Sequence, residues 1–210
     1  MATFTEGRHT GEHVLSEANG ARSREQGVLA SGNLAAGTVL GLIAVGAATA
    51  EADENNTGDG TMSAVTVGTG ALAGAYQVTF SSATKFAVED PEGVNLGTGS
   101  NGTEFSKGGI TFTITAGSTA FVAGDSFTVA VAEGSGKYAQ IDLTADDGTA
   151  RAAAVLYGAV DASDDEQPCT VDRRDCEVHG AALTWPDGIT DNQKAAAIEQ
   201  LAEQGIIVRD

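Results

Sequence analysis

"LTWPDGITDNQKAAAIEQLAEQGIIV", residues 183–208, carries more local instruction than any other stretch of the chain. Pro186-Asp187-Gly188 sets a turn, because proline presets φ and glycine accepts positive φ. Thr190, followed three residues on by Gln193, forms a capping box and predicts a helix beginning there. Ala195, Ile198, Leu201 and Ala202 are its expected buried face. Gly205 is expected to stop it, with Ile206 closing on Leu201, before "IIV" returns to a strand. This is a rigid turn–helix–strand unit with no catalytic chemistry in it.

Working back from that unit, Tyr138–Leu143 and Ala152–Val160 read as strands around the turn signal "ADDG". "DASDDE" (161–166) reads as a solvated acidic loop and "CEVHGAAL" as a further strand. Thr38–Val45 is aliphatic and β-branched between glycines, and "ATAEADENNTGDG" (48–60) is expected to break it with an acidic turn. Between them, "GGITFTITAG" and "GDSFTVAVAEG" alternate apolar and hydroxyl or small residues with period two, the mark of half-buried antiparallel strands. "YQVTF" and "KFAVED" add two more. Six of the seven phenylalanines (Phe80, Phe86, Phe105, Phe112, Phe121, Phe127) fall in this block and give it a core of its own. Removing it would join "GTVLGLIA" almost directly to "GKYAQIDL", a hairpin-like pair. Residues 46–134 are therefore read as a β-rich domain inserted into a host formed by 28–45 and 135–210.

Residues 1–27 are polar and nearly neutral, with Phe4, Val14 and Leu15 as their large apolar side chains. They bury too little to offset an ordering cost of about 1–2 kcal/mol per residue. The expectation is an extended arm ordered by a partner. Its candidate contact residues are Phe4, Arg8, His9, His13, Val14 and Leu15.

Composition narrows the function. The 210 residues carry 29 acidic against 11 basic side chains, a net charge of −18, which repels phosphate backbones and argues against nucleic-acid binding. No window offers the roughly 18 consecutive apolar residues of a membrane helix. The opening "MATFTEGRHTGEH" has no signal-peptide pattern, so synthesis in a cytoplasm is expected. Cys169 and Cys176 bracket six residues and could close a small disulfide loop, or stay as two free thiols, the ordinary cytoplasmic state. In "HTGEH" the Glu precedes the second His and Gly11 discourages helix, so His9 and His13 do not make a zinc-protease site. "DENNTGDG" from Asp53 begins like a calcium loop, but Ala64 stands where the bidentate Glu belongs. No catalytic residue, metal site or cofactor is expected.

Several segments share a family pattern. "GTARAAAVLYGAVDAS" (148–163), "EVHGAALTWPDGITDNQKAAAIEQLAEQGIIVR" (177–209), "GNLAAGTVLGLI" (32–43) and "GKYAQIDL" (136–143) resemble the head decoration proteins of tailed bacteriophages, the lambda-D-like proteins. The resemblance covers about 28–45 and 135–210, with the arm matching in character alone. The inserted block, through "GAYQVTF", "FAVEDPEGV", "FTITAG" and "FVAGDSFTVAV", is similar to a β module of phage structural proteins. The resemblance implies a β-rich α+β fold with a short C-terminal helix. It also implies a non-enzymatic protein that binds the major capsid protein as a homotrimer at local threefold positions, on the outside of the expanded head. The arm would order on the shell. Trp185 and Pro186 are the candidate rigid anchor, either in the core or at the threefold contact. A second reading makes the inserted domain an outward adhesion module for a surface glycan.

Overall fold

The computed structural model describes residues 7–210, which divide into two units. The first comprises the chain up to Ile43, Gly136–Ala145 and Thr149–Asp210; the second comprises Ala44–Ser135 and Asp146–Gly148.

In the first unit, five strands close a small barrel in the order Tyr138–Gln140, Arg24–Leu29, Gln167–Asp172, Ala152–Leu156 and Val39–Leu42. Closure removes exposed sheet edges. Val39–Leu42 pairs antiparallel with Tyr138–Gln140, Tyr138 facing Leu42. The unit's two chain ends thus meet: the amide of Ile43 donates to Lys137 O at 2.9 Å and that of Gly136 to Ile43 O at 3.0 Å. A second sheet runs Val14–Glu17, Cys176–His179, Ile206–Arg209, with the last two strands parallel.

The helix spans Asp191–Glu203 and Thr190 caps it, accepting from the amide of Gln193 while the Gln193 side chain accepts from the amide of Thr190. Gly205, at φ +80°, ends it. Its buried residues are Ala197 and Leu201; Ala195 and Ala202 are exposed, so the buried stripe is rotated from the expected one. With alanine at 195, 196, 197 and 202, apolarity alone does not tell which side faces inward. Leu201 and Ile206 are fully buried in one cluster with Val39, Ile141, Val155 and Val178. The run Ala152–Val160 is not one strand: it breaks after Leu156 and resumes at Val160–Ala162, pairing with Gly32–Leu34.

In the second unit, five antiparallel strands are ordered Asn95–Ser100, Lys85–Glu89, Gly74–Ser82, Ser126–Glu133, Val45–Ala52. Residues 48–52, expected to be a turn, belong to the last of these. Ala48, Ala50 and Ala52 take their place opposite Val131, Val129 and Phe127, so a partner strand rather than local propensity sets their conformation. A smaller sheet pairs Phe105–Lys107, Ile110–Phe112 and Thr66–Val67. All six of the block's phenylalanines are buried in one cluster, with Phe80 stacked on Phe121 at 4.0 Å and Phe105 on Phe112 at 5.3 Å. Glycine is obligatory at 58 and 60, where a Cβ would lie 2.5 Å from the Phe121 ring. Asp125, buried, accepts from the amides of Thr57, Gly58 and Val122 at 2.9–3.0 Å. Burial works to raise its pKa, but those three backbone bonds win and hold it below the ordinary carboxylate value. This unit's ends also meet, the amide of Gly134 donating to Ala44 O at 3.0 Å.

Candidate functional site

The N-terminal segment is docked from Arg8 onward, which corrects the expectation of a free arm through residue 27. Arg8 Nη2 donates to Ala181 O at 3.3 Å, and the amide of Gly11 donates to Tyr157 O at 2.8 Å. Gly11 sits at φ +71°, and a Cβ there would lie 2.9 Å from the Tyr157 hydroxyl. His13 Nε2 lies 2.8 Å from Asp172 Oδ2, both side chains being inaccessible. Val14–Glu17 then adds to the Cys176–His179 strand, and Arg24 joins the barrel. Few apolar side chains are involved. The ordering is offset by main-chain pairing and by polar contacts whose partners lie more than a hundred residues away, which composition does not reveal.

Val14–Glu17 is an edge strand. On it Leu15 is 52% exposed, one of four large exposed hydrophobic residues among those described. Val14 is partly buried. Around the strand Glu17 pairs with Arg24, Arg22 with Asp175, and Glu177 with both Arg209 and Ser16. The Arg209 hydrogen bond, aided by that from Ser16, holds the Glu177 carboxyl below its usual value. Arg24 also lies 4.3 Å above the Tyr157 ring. The strand therefore presents an apolar side chain inside a rim of paired charges, a geometry for surface recognition. His9 is exposed, its amide donating to Glu12 at 2.9 Å. Phe4 lies outside the described residues.

The candidate anchor is separate from this edge strand. Trp185 is partly buried against the cluster that contains Leu201 and Ile206, with Lys194 Nζ 5.5 Å from its ring centroid. Pro186 opens the turn, accepting from Ile189 at 3.4 Å, and Gly188 is at φ +77°. Cys169 and Cys176 are free and buried in different clusters, so the structure holds no disulfide between them. Burial raises both thiols; Cys176, with Asp172, Glu17 and Asp175 adding to it, is pushed up to about 12. Local sequence gave no signal for Asp172 or Tyr157, whose roles exist only once the barrel is closed. Among the described residues no group of three or more His, Cys, Asp or Glu could hold a metal, and no helix is long and apolar enough to cross a membrane.

The two units are β-rich, and the first carries an edge strand with an exposed leucine. The family model described as "Bacteriophage lambda head decoration protein D" matches residues 3–88 and 100–206, and the chain belongs to that family. The match runs through most of the second unit, a wider span than the 28–45 and 135–210 on which the sequence resemblance rests. No curated protein matches. Among solved structures, Xanthomonas campestris FlgL is 24% identical over 47% of this chain and 33% of its own, with a TM-score of 0.35. The flagellar hook junction protein FlgK from Burkholderia pseudomallei is 28% identical over 58% of this chain and 21% of its own, with a TM-score of 0.34. The chain thus spans about a third or less of those flagellar proteins, and likenesses at such TM-scores carry no argument.

Proposed function

We propose that the protein decorates the outer surface of an expanded phage head, binding the major capsid protein as homotrimers at local threefold positions and cementing the shell against internal DNA pressure. The family match over most of the chain carries this reading. The edge strand Val14–Glu17, with the residues before it, is the proposed docking element: a capsid strand adds to its free edge, and Leu15 supplies the apolar contact. Three such elements on one trimer turn weak single contacts into avid binding, since the second and third engagements are intramolecular. Trp185 and Pro186 are proposed to stiffen the turn–helix unit, as an anchor either within the subunit core or at the threefold contact. The net charge of −18 suits a surface turned away from packaged DNA.

Removing residues 1–7 tests the docking without touching a described strand. Decoration of purified expanded heads, read as copies per particle, is expected to fall at least tenfold. Full occupancy by the truncated protein would refute docking through this segment.

A further inference from the structure

Of residues 8–17, which lie along the first unit, His13 alone is buried. Gly11 and Val14 are partly buried and the others are exposed. Main-chain pairing and one side chain therefore seat the segment. His13 O accepts from the amide of His179 at 2.8 Å, the amide of Gly11 donates to Tyr157 O, and Val14–Glu17 pairs with Cys176–His179. The His13 side chain is 1% exposed, and the Asp172 carboxylate that it meets at 2.8 Å is 0% exposed.

The buried pair is incompletely satisfied. His13 Nδ1 and Asp172 Oδ1 have no hydrogen-bond partner among the described residues. Tyr157 meets the imidazole edge-on, 6.4 Å between centroids. Arg24 feels the Asp172 charge but is tied to Glu17. Cys176, which Asp172 also acts on, keeps its proton, its thiol pushed up to about 12. Arg22 pairs with Asp175, Arg173 turns to Ala153 O and Gln204, and Arg174 turns to Glu25. Among the described residues, Asp172 is thus the charged group within hydrogen-bond reach of the imidazole.

Protons act on this arrangement in two stages. While Asp172 is ionised, the hydrogen on Nε2 bridges to Oδ2. A proton on Nδ1 then makes an imidazolium, which the carboxylate still neutralises, although the new N–H finds no acceptor. A second proton, on Asp172, removes the counter-charge and strands a cation away from water, a state that a buried site does not sustain. Undocking returns the imidazolium to water, and no other side chain of the segment leaves a fully buried place.

We propose that His13 and Asp172 form an acid-released latch: the pair holds residues 8–17 in place at neutral pH, and proton uptake frees the segment as a unit while the barrel stays closed. The latch goes beyond head decoration. It operates in the free protein, so its failure leaves that reading untouched.

The test is hydrogen exchange of the full-length protein, followed peptide by peptide by mass spectrometry from mild alkali to acid and corrected for the intrinsic pH dependence of exchange. Peptides covering residues 9–17 are expected to lose protection at least tenfold on acidification. Arg24–Leu29 and Ala152–Leu156 should stay protected as internal references. His13→Gln keeps an N–H toward Asp172 but takes up no charge, and should abolish the loss. In Asp172→Asn the counter-charge is already gone, so one proton suffices, and the midpoint of release should rise by about one pH unit or more. Protection retained in acid overturns the proposal, as does a loss shared equally by the barrel strands or by His13→Gln. If His13→Gln leaves the segment undocked at every pH, Asp172→Asn decides: a midpoint unchanged or lowered overturns the latch.

Discussion

The two units build their cores in opposite ways. The second concentrates six phenylalanines in one cluster and locks its turn with a buried carboxylate, Asp125. The first buries none of them among its described residues. It closes a barrel, packs Val39, Val155, Leu201 and Ile206 against one another, and joins its N-terminal segment through polar contacts such as His13–Asp172. The lesson is that a unit rich in large side chains announces its core in sequence, whereas one held by closure and long-range polar pairing does not.

The contrast can be broken most forcefully at the phenylalanine stack. Phe80→Ala should cost about 3–5 kcal/mol and lower the unfolding transition of the second unit while leaving that of the first in place, read by calorimetry. A shared shift of both transitions would merge the units into one cooperative body. Leu201→Ala is the counterpart, expected to cost about 2–5 kcal/mol in the first unit alone.

Asp125→Asn comes next, at about 1–3 kcal/mol through poorly paired backbone amides. Its pH dependence has a definite sign. The folded pKa lies below the ordinary 3.8, so its stabilisation is complete above that value and disappears as pH falls through the folded pKa. The parent's second unit should therefore lose stability in strong acid more steeply than the variant's. Thr190→Ala should cost about 1 kcal/mol through loss of the helix cap. Smallest of all, Cys176, with its thiol pushed up to about 12, should react with a disulfide reagent at neutral pH only as fast as the first unit opens; rapid labelling would show an exposed thiol.

What was legible followed from local chemistry. The Thr190–Gln193 box, the Gly205 stop and the alternation around Phe112 and Phe127 each name their own conformation. So does the adjacency of residues near 43 and 136. The strand at Val45–Ala52 was hidden because alanine and threonine adopt it only opposite Ser126–Glu133. The helix face was misplaced because four of its residues are alanines. The docking of Arg8–Glu17 was hidden for a deeper reason. His13 and Asp172 are 159 residues apart, and no spacing rule links them.

The account turns on the edge strand, and Leu15 is where it can be struck without harming the fold, because that side chain is already 52% exposed. The decisive measurement is the occupancy of purified expanded heads by Leu15→Asp beside the parent protein, with matched melting temperatures. The account predicts at least a tenfold loss of binding by the variant. Equal occupancy at equal concentration would contradict it.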